Sequence, residues 1–91
     1  MTEVTERHVE TSDGLTLAVY EQGPRKAPTV VLVHGYPDNH TVWDAVASTL
    51  AERFHVVAYD VRGTGRSGVP DSTAGYRLTQ LSADFKSVID A

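Results

Sequence analysis

The apolar run Val30-Val31-Leu32-Val33, followed at once by His34-Gly35-Tyr36-Pro37, constrains this chain more than any other stretch. Four consecutive aliphatic residues, three of them β-branched, predict a strand buried on both faces of a mainly parallel sheet. The chain must then turn sharply. Gly35 can take backbone angles closed to other residues, Pro37 fixes its own φ and removes one donor, and it also confines Tyr36 to extended conformations. Open α/β sheets bind ligands at the carboxyl ends of their strands, and a stiff loop there can hold a backbone N–H toward developing negative charge. The Tyr36 N–H is the candidate donor. Taken alone, the tetrad fits equally well a plain strand-to-helix connection in which His34 is a hydrogen-bonded, partly buried side chain.

A second strand is predicted over residues 54–59, and Asp60-Val61-Arg62-Gly63-Thr64-Gly65-Arg66-Ser67 follows it. Between the two strands, residues 41–53 predict a helix, with Trp43, Val46, Ala47, Leu50 and Phe54 at helical spacing and Thr41 and Asp44 as a capping pair. Strand, helix and strand make a βαβ unit with a right-handed crossover. Upstream, residues 4–11 and 15–22 predict two strands joined by Ser12-Asp13-Gly14, where Asp-Gly favours a tight hairpin. Residues 61–77 form a long loop rich in turn formers. Residues 78–91 then predict a helix with Leu78, Leu81, Phe85, Val88 and Ile89 on one face.

One motif points to a different chemistry. Gly63-Thr64-Gly65-Arg66-Ser67-Gly68 matches the dinucleotide fingerprint G-x-G-x-x-G after a strand, but a working fingerprint opens a helix whose N-terminus receives the pyrophosphate. Pro70 and Gly75 oppose an immediate helix, so the dinucleotide-binding Rossmann unit is the minor alternative. Asp60 and Arg62 are better read as an ion pair or hydrogen-bonded brace at the sheet's carboxyl edge than as groups acting on substrate. His34, Asp38 and His40 lie close in sequence, but their loop spacing matches no zinc pattern, so no metal is expected.

Composition excludes more than it identifies. The absence of cysteine rules out disulfide scaffolds and thiolate metal sites. A net charge of −4 with scattered Lys and Arg supports neither nucleic-acid nor membrane binding. No leader pattern opens the sequence, and a cytoplasmic protein acting on a small molecule, without cofactor and with oligomeric state unknown, is the default.

In combination, Ser12-Asp13-Gly14 between early strands, the aliphatic strand with His-Gly-x-Pro, Trp43 soon after, and Asp-x-Arg-Gly-x-Gly-x-Ser resemble the α/β-hydrolase superfamily. The resemblance spans nearly the whole chain and is closest to the branch holding epoxide hydrolases, haloalkane dehalogenases and perhydrolases. Dehalogenases commonly carry Asn where Tyr36 stands, and an aromatic there is usual in epoxide hydrolases and some perhydrolases. The stretch from His34 through Asp44 is most similar to actinobacterial epoxide hydrolase-like proteins, some of which carry a short-chain dehydrogenase domain downstream.

The resemblance implies an antiparallel hairpin, a βαβ unit and a terminal helix from the N-terminal part of an α/β-hydrolase domain, with an incomplete sheet. It also implies a two-step hydrolysis. A carboxylate nucleophile opens an epoxide to a covalent ester, and a histidine-activated water cleaves that ester with help from the oxyanion hole. Tyr36 would give its N–H to that hole, and His34, Gly35, Pro37, Asp60 and Arg62 would support the loop. The family's nucleophile sits on a Gly-x-Ser-x-Gly or Gly-x-Asp-x-Gly turn, and no such pentapeptide occurs in these 91 residues. The expectation is therefore a piece of one hydrolase domain that stops before the nucleophile elbow and is inactive alone. A serine esterase or perhydrolase of the same fold, or a non-catalytic fragment, fits the same residues. A chain of this length buries about 60–65% of its unfolded surface, which leaves its stability marginal.

Overall fold

The computed structural model describes residues 3–35 and 38–91. Four strands pair into one mixed sheet: β1 (Thr5–Glu10) runs antiparallel to β2 (Thr16–Gln22), β2 antiparallel to β4 (His55–Tyr59), and β4 parallel to β3 (Thr29–Val33). The order is β1-β2-β4-β3, so the segment between β3 and β4 crosses one face of the sheet. That segment holds a 3₁₀ turn at His40–Trp43 and the short helix α1 (Asp44–Leu50); α2 (Leu78–Asp90) covers the other face.

Side-chain alternation along the strands divides the core in two. Leu17, Val19, Val57 and Tyr59 point one way and pack with Val9 and with Val88 of α2. Leu32, Val56 and Ala58 point the other way and pack with Ala47 and Ala51, with Trp43, Leu50 and Phe54 around them.

Several elements differ from the sequence expectation, each for a local reason. β3 is not buried on both faces: Leu32 is buried, Val30 and Val31 are half-buried, and Val33 is 43% exposed. Its only strand partner among the described residues is β4. Because the His55 N–H donates to the Pro28 carbonyl at 3.0 Å, parallel-ladder alternation turns residues 30 and 32 toward β4. The backbone groups of Thr29, Val31 and Val33 therefore face the open edge.

The helix expected over 41–53 is divided because Asn39, not Thr41, is the cap. Asn39 Oδ1 accepts the Thr41 N–H at 2.9 Å and the Thr41 hydroxyl at 2.6 Å, and the Asp44 N–H donates to the Thr41 carbonyl, so no Thr41–Asp44 capping pair forms. The hairpin connection is also longer than a tight Asp-Gly turn. Thr11 Oγ1 accepts the Leu15 N–H at 3.0 Å and donates to Asp13 Oδ1 at 2.6 Å, shaping a five-residue loop with Gly14 at φ +85°. In α2 only Val88 and Asp84 are buried, while Leu78, Phe85 and Ile89 of the expected apolar face are exposed.

Candidate functional site

Tyr36 and Pro37, the centre of the expected oxyanion segment, lie outside the described residues. What the structure gives is the framework on either side of them. His34 ends β3 as a buried side chain whose Nε2 lies 2.9 Å from the Val61 N–H. A backbone N–H can only donate, so Nε2 is the bare nitrogen and Nδ1 carries the proton. That proton is donated to the Gly35 carbonyl at 2.8 Å, which also accepts the Asp38 N–H at 3.0 Å. Thr64 adds its hydroxyl 3.2 Å from Nε2. His34 thus joins the end of β3 to the loop after β4.

The other end of the segment is held by Asp60, which is fully buried. Its Oδ1 accepts the His40 N–H at 2.8 Å and His40 Nδ1–H at 2.7 Å; its Oδ2 accepts the Arg66 N–H at 3.0 Å and the Tyr20 hydroxyl at 3.1 Å. The His40 ring also stacks on Tyr20 at 3.5 Å between centroids, 14° from parallel. Burial raises the Asp60 carboxyl, but the N–H groups of His40 and Arg66 outweigh it, and the group stays below its ordinary value. Burial, aided by this carboxylate, pushes the Tyr20 phenol up to about 12, which keeps it a donor.

Arg62 does not pair with Asp60, so the ion pair between these two expected as one option is not formed. Arg62 turns the opposite way, is fully buried, and binds Asp84 of α2 and Asp13 of the β1–β2 loop. Sequence reasoning missed both partners. The available signal was Asp84 itself, a carboxylate inside the apolar spacing Leu81, Phe85, Val88 and therefore in need of a buried cation.

The glycine-rich loop binds an anion, but the anion belongs to the protein. Residues 63–68 open no helix: Gly63 N–H bonds the Gly68 carbonyl at 2.8 Å, and Ser67 N–H bonds the Thr64 carbonyl at 3.0 Å. The Arg66 N–H reaches Asp60, and a Cβ on Gly65 would overlap that same carboxylate. Gly65 also sits at φ +48°. Gly65→Ala should therefore destabilise the chain by more than about 1 kcal/mol, the usual left-handed backbone penalty, as read from its urea midpoint. A wild-type midpoint would show that the loop and Asp60 separate at no cost. Ser67 acts as a bridge, accepting the Ala18 N–H and donating to the Asp60 carbonyl.

Beside this framework lies an open cavity of about 340 Å³ between the carboxyl ends of β3 and β4 and helix α2. Val33, Tyr59, Val61, Leu81 and Phe85 make it mainly apolar, and His34 stands at its wall. Among the described residues, no cluster of three His, Asp or Glu side chains is placed to hold a metal ion. No helix among them is long and apolar enough to cross a membrane.

Comparison with known proteins gives a consistent family. The family pattern described as alpha/beta hydrolase fold matches residues 28–91. "Probable oxidoreductase EphD" of Mycobacterium tuberculosis is 49% identical over 88 residues, covering 97% of this chain and 15% of that protein. "Epoxide hydrolase A" of the same organism is 39% identical over 87 residues, covering 94% of this chain and 27% of the relative. The crystal structure of epoxide hydrolase A from Mycobacterium thermoresistibile superposes with a TM-score of 0.88 at 38% identity, over 97% of this chain and 28% of that one. The chain thus spans between about a seventh and under a third of the lengths it matches.

Proposed function

We propose that this chain, which belongs to the α/β-hydrolase fold family, is the amino-terminal part of an epoxide hydrolase-like domain and supplies half of its oxyanion hole through the Tyr36 N–H. The observation that carries this reading is the double anchorage of the segment, at His34 to Val61, and at His40 to Asp60 and Tyr20. Fixed donors lower a barrier because they need no reorganisation when charge develops, and removing one typically costs about 100- to 1000-fold in rate. In the proposed reaction a carboxylate opens the epoxide to an ester, and water attacks that ester while the Tyr36 N–H steadies the oxyanion. The mainly apolar cavity beside His34 suits a small apolar epoxide.

The nucleophile elbow required for that reaction has no counterpart in these 91 residues, and we expect them to hydrolyse no epoxide alone. A serine esterase or perhydrolase would use the same oxyanion segment with a hydroxyl nucleophile. The test is a chimera in which residues 1–91 replace the matching segment of M. tuberculosis epoxide hydrolase A. Epoxide hydrolysis should survive. In it, Tyr36→Phe should change kcat by less than about twofold, because the phenol is not the donor, whereas Pro37→Ala should lower kcat about tenfold by loosening the donor. A severe Tyr36→Phe beside a harmless Pro37→Ala would reverse the assigned roles.

A further inference from the structure

At the opposite end of the sheet, where the parallel strands β3 and β4 begin, an acid, an imidazole and a hydroxyl stand in one hydrogen-bonded line. His55 Nε2 lies 3.0 Å from Glu21 Oε1, and His55 Nδ1 lies 3.1 Å from Thr29 Oγ1. Glu21 is buried, His55 is mostly buried, and Thr29 is exposed at the mouth. The other Glu21 oxygen, Oε2, is bound by Arg7 Nε. Burial works to raise the Glu21 carboxyl, but Arg7 and His55 together outweigh it and keep the group ionised.

The chemistry of the line follows from that charge. An ionised carboxylate can only accept, so His55 Nε2 carries the proton facing Glu21. In the neutral ring Nδ1 is then bare and faces the Thr29 hydroxyl, as a base faces a nucleophile. A nucleophile, a base within hydrogen-bond reach and a third group orienting that base is the arrangement by which unrelated folds activate a hydroxyl. The line opens on a cavity of about 350 Å³, separate from the one beside His34, with Val31, Val57, Val88 and Ile89 as its apolar wall.

We infer that Thr29, His55 and Glu21 form a second reactive site, which accepts a short acyl group from an activated ester. Thr29 Oγ1 attacks the ester carbonyl carbon as its proton passes to His55 Nδ1. The carbonyl–oxygen single bond of the ester then breaks, and the leaving alcohol takes that proton. Thr29 is left O-acylated. Water attacking the acyl carbon, with its proton taken by Nδ1, releases the acid and restores the hydroxyl. This inference does not rest on the oxyanion-loop assignment, since no residue is shared.

The probe is p-nitrophenyl acetate, added to the 91-residue chain, with p-nitrophenol release followed by absorbance and the acetyl group located by peptide mass mapping. The acetyl group should appear on Thr29. Thr29→Val, which keeps the β-branched shape, should abolish it; Thr29→Ser should retain it. His55→Gln should slow labelling at least about 100-fold, the usual contribution of a positioned base. Circular dichroism matching wild type in the Thr29 variants would show that the change is chemical rather than a loss of fold. An unmodified Thr29 with acetyl only on lysines or His55, or equal labelling in His55→Gln, would overturn the inference.

Discussion

Arg62→Lys should lower the unfolding free energy by about 1.5–3 kcal/mol, because an ammonium keeps the charge but leaves hydrogen bonds to buried carboxylates unmade. The reason is the number and direction of the bonds that Arg62 makes. Nε and Nη2 donate to the two oxygens of Asp84, each at 2.6 Å, and Nη1 and Nη2 donate to Asp13 at 2.8 and 3.0 Å. Nη1 also donates to the Gly75 carbonyl at 2.9 Å. All five guanidinium N–H groups are therefore used, from a side chain with no exposure to solvent. An ammonium offers three donors from one point and cannot grip two carboxylates side by side. Hydrogen bonds to Asp84 and then Asp13 raise Arg62 further above its already high value, so the cation is never the group that gives way.

The same cluster makes a sharper test through its partner. Arg62→Leu leaves Asp84 buried with no cation, whereas Arg62→Leu combined with Asp84→Leu removes both charges and adds apolar volume next to Val88. The double variant should be more stable than either single one, because the cost lies in the uncompensated charge. Urea unfolding of the four proteins measures it. A double variant as unstable as the sum of the singles would mean that Arg62 acts by shape, not by charge.

What the sequence discloses and what it hides divide along contact distance. Strand positions were legible because Val30 to Val33 and residues 54–59 carry their own β-branched signal, and the motif order identified the family. The roles of Asp60 and Arg62 were legible only as bracing. Their partners lie far away in the chain: Tyr20 is 40 residues from Asp60, and Asp13 is 49 from Arg62. No local period encodes such a pairing. The place of His40 was hidden because nothing near it in sequence hints at stacking on Tyr20. The reading of β3 as buried on both faces followed from its composition alone, and composition cannot say how much of each face the packed helices cover.

Asp60→Asn should cost about 2–4 kcal/mol, since hydrogen bonds to a charged acceptor are worth about 1.5–3 kcal/mol each and one side of an amide cannot accept. Whichever way the Asn amide is turned, its NH₂ faces either the two His40 donors or the Arg66 N–H and the Tyr20 hydroxyl. The loss should be local as well as global. Amide exchange should quicken at His40 and Arg66, whose backbone N–H groups donate to Asp60, before the rest of the sheet responds.

Acid gives an independent check with a fixed sign. Asp60 titrates below its ordinary 3.8 in the folded chain, so as pH falls the unfolded chain takes up the proton first. The stabilisation is therefore complete above about pH 5, declines as pH drops through 3.8, and is gone once the folded carboxyl is itself protonated. Glu21 and Asp13 are shifted the same way and act in the same window, Glu21 from its ordinary 4.5 and Asp13 because the Arg62 hydrogen bonds hold it far below the usual carboxylate range. The difference between wild type and Asp60→Asn isolates the Asp60 part. Urea midpoints of the two proteins should lie furthest apart near neutrality and converge below pH 4. Parallel curves across that range would mean that Asp60 holds His40, Arg66 and Tyr20 by position and not through its charge.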